Sequence, residues 1–206
     1  MTAGSVMGPL SDADVLAMNL RGPNGAGDRL NDLVSGFYGR RPIWKNPAPK
    51  GAVAIVASPT SAEGVTLTGP FGLPDYARNI ELTASAATTG DAVVHGKDAA
   101  GDPVSETFTD VGTTAAVGKV AFASITSVDL PPDAANPTFS AVYGDALGIG
   151  TPIIRPGTVL LALKDGVEVG LPTINNDAAH LAANTAVFAG LDGTGEYVLY
   201  ILAESS

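Results

Sequence analysis

The sequence predicts an all-β protein, with a β-sandwich or barrel-like body of short antiparallel strands behind an extended N-terminal arm that contains one or two short helices. Three observations support this fold class. Glycine and proline together occupy 40 of the 206 positions, and both residues disfavour long helices. Short apolar runs recur after Gly51, some with the alternation of period two that is typical of half-buried strands. Turn-forming residues separate these runs.

The first 50 residues predict the arm. Two short amphipathic stretches, one after Ser11 and one after Asp28, are separated by glycine-rich breaks and lead into a proline-rich exit. The arm contains the single tryptophan and clusters of arginine with aromatic residues, the residue types that most often anchor interfaces. We therefore expect it to dock on a partner rather than to be a floppy terminus, through four residues: Tyr38, Arg40, Arg41 and Trp44.

Residues 51–145 predict a β-sandwich-like module. Ile80, Leu82 and Ala84 alternate with polar residues and are expected on one buried face. A change of phase in the strand over 119–130 predicts a β-bulge or a bend near residues 123–124. The loop 98–102 contains a glycine suited to a positive φ and predicts a hairpin. The expected strands are 52–57, 79–85, 91–97, 104–109, 119–130 and 138–143.

Residues 146–206 predict a C-terminal β region that packs on the same body. A second glycine-rich break over 144–150 separates it from the preceding module, and the sequence leaves open whether there is one body or two small β-domains. Its two most apolar runs, 159–163 and 197–202, lack alternation, so both faces of each are expected to be covered, either by a central position in the core or by a subunit interface. Turns are predicted at 164–166 and 192–195, and 175–183 predicts either a short helix or a loop.

Composition excludes several classes of function. The chain has no cysteine, which excludes thiol nucleophiles, disulfides and cysteine-ligated metals. The net charge of −10 argues against nucleic acid, whose binding depends on lysine and arginine. The charge divides into +2 over residues 1–50 and −12 over the rest. No run reaches the roughly 18 apolar residues of a membrane helix, so we expect no membrane partner.

The remaining polar candidates give weak signals of chemistry. His95 is expected to face solvent from its strand. Asp177 and His180 have a spacing that can bind a metal, but no third ligand lies nearby in the sequence. Four acids around one hairpin are expected to keep a turn soluble, because they lack the regular spacing of a calcium loop: Asp98, Asp102, Glu106 and Asp110. We expect no enzyme activity, catalytic residue, metal or cofactor.

The middle of the chain resembles a module of tailed-bacteriophage virion proteins. The resemblance lies in the strand 78–83, in a hairpin with the pattern G-x-D-A-x-G-x-x-x-S-E-T over 96–107, and in the strand that ends Ile125-Thr126-Ser127-Val128. It covers about a quarter of the chain. The closing segment 192–200 is also similar to the ends of phage head proteins.

The resemblance implies a non-enzymatic structural virion protein of the capsid decoration or cement type. Such a protein would be made in the host cytoplasm, lie on the capsid surface, bridge subunits of the major capsid protein and associate with itself as a homotrimer. A neck, tail or head-spike protein is the first alternative. A host-glycan-binding or depolymerase module is the second.

Overall fold

The computed structural model describes residues 42–51, 54–56, 63–133, 135–151, 153, 159–177 and 179–201. This part of the chain is all-β, as predicted, with antiparallel sheets and a curled half-barrel. No helix in these ranges is long and apolar enough to cross a membrane. The helices predicted within the first 41 residues lie outside the described residues. A short 3₁₀ turn is formed by Leu181–Ala183.

The described ranges contain fourteen strands, numbered β1 to β14 in chain order. They are Ile43–Lys45, Ala54–Val56, Val65–Thr68, Arg78–Ala84, Ala92–Lys97, Pro103–Phe108, Ala116–Val117, Ser124–Leu130, Phe139–Gly148, Val159–Lys164, Val167–Val169, Thr173–Asn175, Thr185–Val187 and Glu196–Ile201. One sheet has the order β1-β14-β10-β11, and another has the order β3-β8-β5-β6. The central sheet has the order β12-β13-β9-β4-β7, and β2 also pairs with β9.

Two hydrophobic clusters form the interior, and strand β9 contributes to both. Phe139 and Tyr143 at the start of β9 belong to a cluster with residues of β4, β5 and β8. Leu147, near the end of β9, belongs to a cluster with Trp44 and Leu199 from the sheet that contains β1 and β14. One continuous strand therefore joins the regions that the sequence divides at residue 145.

The alternation in β4 and the first hairpin are confirmed. Ile80 and Leu82 are fully buried and Ala84 is 4% exposed, as expected for one face packed on a core. Strands β5 and β6 pair antiparallel over their full lengths. The loop between them includes Gly101 at φ +89°, a conformation that glycine adopts without steric cost.

The predicted bend is confirmed at Ala123, and a β-bulge lies two residues beyond the predicted position. Strand β8 begins at Ser124, while Phe122 forms a separate bridge with Arg78. In the pairing of β5 with β8, the register shifts between His95 and Gly96, so that Thr126 is the extra residue. A side chain at Gly96 would overlap the carbonyl oxygen of Ser124. This close approach of the two backbones accounts for the glycine beside the shift.

The predicted break over residues 144–150 is wrong, because β9 runs through Gly144 to Gly148 without interruption. Gly144 lies against the side chain of Asn79, and a Cβ atom there would overlap the Asn79 amide. That amide accepts a hydrogen bond from Ala146 N at 3.0 Å and donates one to Gly118 O at 3.0 Å. The glycine therefore makes room for a buried polar side chain and does not mark a turn.

The C-terminal strands agree with the sequence in part. Strand β14 is buried on both faces from Tyr197 to Ile201, as its unbroken apolar run predicts. Strand β10 is covered less completely within the chain, because Leu160 is 41% exposed, and its coverage by a subunit interface stays a prediction. The turn between β10 and β11 is confirmed, with Asp165 at φ +53° and Gly166 at φ +79°.

Candidate functional site: the root of the N-terminal arm

Three of the four residues predicted to contact a partner, Tyr38, Arg40 and Arg41, lie outside the described residues. The fourth, Trp44, is in β1 and is 3% exposed. Its ring packs edge-to-face on Phe188, with 5.6 Å between the ring centroids. Phe188 in turn packs on Tyr197 at 5.1 Å. Trp44 therefore fills a core of its own chain and has little surface left for a partner.

We call residues 42–51 the arm root, because they join the segment before them to the body. The sequence assigned them to the arm, but they lie along the body, and Ile43–Lys45 form a strand of one of its sheets. In β1, Trp44 pairs with Tyr197, and Lys45 pairs with Glu196. Leu199 N also donates to Pro42 O at 3.1 Å. The alternating burial of β1, with only its central residue inside, explains why the tryptophan points into the core.

A buried arginine clamps the arm root to the body. Arg78 is 2% exposed, and its Nε and a terminal nitrogen donate to the two carboxylate oxygens of Asp75 at 2.6 and 2.9 Å. The guanidinium also donates to Ala48 O at 2.7 Å and to Gly144 O at 3.0 Å. A planar guanidinium suits this task because its donors lie in a fixed fork. The arm root, β4 and β9 thus meet at one side chain.

Further hydrogen bonds hold the backbone of the arm root. The Tyr76 hydroxyl accepts from Lys45 N at 2.6 Å and donates to Lys45 O at 2.9 Å. Asp75 Oδ2 accepts from Ala48 N at 2.7 Å. Asp145 Oδ1 accepts from Lys50 N at 3.2 Å. Contacts on the body therefore hold the root at several points along its length.

The electrostatics of the clamp follow from its geometry. Burial would raise the pKa of Asp75, but the hydrogen bond and charge of Arg78, with the amides of Ala48 and Tyr76, bring this pKa below its ordinary value. The nearby Tyr143 hydroxyl donates to Gly72 O at 3.0 Å. Burial raises the pKa of Tyr143 to about 12. Both groups are therefore in one protonation state at neutral pH.

The acids of the β5–β6 hairpin divide into two kinds. Asp102 and Asp110 are exposed, as predicted. Asp98 is 7% exposed, and its Oδ1 accepts hydrogen bonds from two amides of its own loop. Glu106 accepts hydrogen bonds from Lys119 N and Val120 N, although burial still raises its pKa. The interpretation as solubilising charges is wrong for Asp98 and Glu106, which hold backbone in place.

The two histidines each contact one acid. His95 Nε2 is 3.0 Å from Asp129 Oδ2, and the His95 side chain is 41% exposed, in line with the expected solvent-facing position. His180 Nδ1 is 3.1 Å from Asp177 Oδ2, so the predicted pair does form. Among the residues that the structure describes, no group of three histidine or acidic side chains could hold a metal ion.

Sequence reasoning missed Asp75 and Arg78. Nothing in the local composition marks Arg78 as buried, because it begins a strand at a position where a polar residue suits either face. One signal was available, namely an acid and an arginine three residues apart just before a strand.

The chain matches no family model, no curated protein and no solved structure.

Proposed function

We propose that the chain is a non-enzymatic structural protein of a bacteriophage virion that decorates and stabilises the capsid. In this role it bridges subunits of the major capsid protein on the outer surface of the shell and associates with itself as a homotrimer. The observation that carries the proposal is the arm root. A segment that holds a neighbouring subunit is effective only if its attachment to the body resists being pulled away.

The contacts of the arm root supply such an attachment. The side chains of Arg78 and Asp75 form hydrogen bonds with the backbone of Ala48. Tyr76 binds the backbone of Lys45, and strand β1 of the arm root pairs with β14. The bonds that Arg78 and Asp75 make to the arm root are charge-assisted, and such bonds are roughly twice as strong as neutral ones. The arm root, from residue 42 onward, is therefore held firmly on the body.

A second line of support comes from the residues that carry the resemblance to virion proteins. These residues hold the backbone of the module in its folded conformation. Gly96 permits the close approach of β5 and β8. Asp98 and Gly101 shape the hairpin loop. Glu106 binds the backbone at Lys119 and Val120. A resemblance built on such residues concerns a folded module, which fits a protein that acts through contact area and many repeated copies.

The test compares the full chain with a variant that lacks residues 1–41 and keeps the arm root. Both are mixed with shells assembled from the major capsid protein encoded in the same genome, and co-sedimentation measures the copies bound per shell. We expect the full chain to bind at three copies per threefold position and the truncated chain to lose at least nine-tenths of that occupancy. Fluorescence of the buried Trp44 checks that the truncated body is folded.

Two outcomes would contradict the proposal. If the full chain leaves shells undecorated, the capsid role is wrong. A ring of six or twelve copies in solution, measured by light scattering, would instead favour the neck or tail alternative. If the truncated chain binds as well as the full chain, the capsid role stands and the part assigned to the arm is wrong.

A further inference from the structure

A small cavity lies between the β5–β6 loop, the end of β9 and the 3₁₀ turn. Its volume is about 200 Å³, and seven of its nine lining residues are alanine or glycine. Ala121 N donates to Ala182 O at 2.8 Å, which joins two of its walls. Leu181 also lines the cavity and is 37% exposed. A backbone hydrogen bond thus joins two of the walls, every lining side chain except that of Asp98 is small or apolar, and the cavity reaches the surface.

Asp98 is the charged residue that lines this cavity, and it is only 7% exposed. Its Oδ1 accepts hydrogen bonds from Ala100 N at 2.8 Å and Asp102 N at 3.0 Å. Oδ2 of Asp98 accepts no hydrogen bond from the described part of the chain. Every fully buried side-chain oxygen in that part has a hydrogen-bond partner. Because Oδ2 has none, it is not fully buried, and it belongs to the accessible part of Asp98. One carboxylate oxygen shapes the loop, and the other is available to a ligand.

From this geometry we infer that the cavity binds the side chain of an arginine presented by a partner protein. The alanine and glycine walls leave a narrow apolar space for the alkyl stem, in the way that long basic side chains bury their methylenes. The guanidinium then donates to Asp98 Oδ2. This inference concerns a binding site on the body and does not depend on the proposed virion role.

Size and charge select this ligand over others. Ordinary small-molecule sites occupy roughly 300–1,000 Å³, so a cavity of about 200 Å³ suits one extended side chain. A carboxylate whose second oxygen accepts no hydrogen bond from the protein repels anions and favours a ligand that donates one. Guanidinium is hydrated more weakly than ammonium and costs less to desolvate, which favours arginine over lysine. A divalent cation needs more oxygen ligands than one aspartate offers.

The test uses n-butylguanidinium, which reproduces the arginine side chain, and the folded full-length protein in about 150 mM salt, where long-range surface attraction is largely screened. Nuclear magnetic resonance follows the amide and methyl signals during titration. We expect saturable shifts at the cavity residues Ala99, Ala121 and Ala182. We expect the neutral analogue n-butylurea to produce at least tenfold weaker binding.

Two matched variants identify the carboxylate. In Asp98→Asn the amide oxygen can still accept both loop hydrogen bonds, while an amide NH2 group takes the place of Oδ2. Because this group donates hydrogen bonds and carries no charge, we expect at least a tenfold loss of n-butylguanidinium affinity. Asp102→Asn removes the same charge from an exposed neighbour and should bind as the wild type does. If Asp98→Asn does not fold, Ala182→Leu fills the cavity without changing its charge and should also abolish binding.

Several results would overturn the inference. Equal binding by wild type and Asp98→Asn would show that the carboxylate is not the acceptor. Shifts spread over the acidic surface without saturation would show that the cation is attracted only by net charge. Stronger binding of n-butylammonium would contradict arginine as the ligand. Saturable shifts at the same residues with calcium chloride would replace the arginine site by a metal site.

Discussion

Replacing Asp75 by alanine removes the carboxylate that pairs with Arg78 and leaves a guanidinium that is 2% exposed without its counter-charge. Two of the four hydrogen bonds of that guanidinium, to Ala48 O and Gly144 O, remain. Removal of one partner from a buried pair costs about 3–5 kcal/mol. The Asp75 side chain is 28% exposed, so water can replace part of its role. We therefore expect a loss of about 3 kcal/mol in the free energy of unfolding.

Urea denaturation followed by fluorescence measures this loss, because the single tryptophan, Trp44, is a buried residue of the arm root. The expected loss corresponds to a fall of roughly 6–12 °C in melting temperature for a chain of this size. Asp91→Ala, which removes an exposed acid, is the control and should change stability by no more than about 0.5 kcal/mol. The double variant Asp75→Leu with Arg78→Met removes both charges and should recover part of the loss.

A loss of less than about 1 kcal/mol in Asp75→Ala, which is the scale of an exposed ion pair, would show that the carboxylate is not part of a buried clamp. An equal loss in the control Asp91→Ala would show the same. A double variant less stable than Asp75→Ala alone would show that the hydrogen bonds of Arg78 to Ala48 O and Gly144 O outweigh the cost of its unpaired charge.

Three further outcomes are expected from thermal melting followed by circular dichroism. The pKa of Asp75 is lowered from 3.8 in the folded state, so the stabilisation by this carboxylate is present above pH 3.8 and is lost as the pH falls through the folded-state pKa. The difference in melting temperature between wild type and Asp75→Ala should therefore shrink below about pH 4. A constant difference down to pH 2 would contradict this. Gly144→Ala, which meets Asn79, should cost about 1–3 kcal/mol, whereas Gly170→Ala, with nothing within 4 Å, should be near neutral; equal effects would refute the packing argument. Trp44→Ala should cost about 3–5 kcal/mol, and a cost below 1 kcal/mol would contradict its place in the core.

The sequence predicts those features of the fold that depend on local pattern. Strict alternation places Ile80 and Leu82 on a buried face, and the residues Asp165-Gly166 suit the positive φ values of their turn. The all-β class follows from the same signals repeated along the chain. Each of these features depends on residues within one strand or one turn, so a linear pattern contains the information.

Features that depend on contacts distant in sequence were missed or misread. Gly144 looks like a turn residue until Asn79, 65 positions earlier, is seen to occupy the space beside it. Trp44 looks like an interface anchor until Phe188 is found against its ring. Arg78 has no local mark of burial, because its partners Ala48 and Gly144 come from other parts of the chain. Such roles are decided by which strands become neighbours.

The antiparallel pairing of β1 with β14 has a mechanical consequence. Hydrogen bonds in an antiparallel pair lie perpendicular to the strands. A force that pulls residue 42 along the axis of β1 therefore loads these bonds in shear, and they must break together. A force that lifts the strand away from the sheet edge would break them one after another. The direction of the load thus determines how much tension the attachment withstands before it yields.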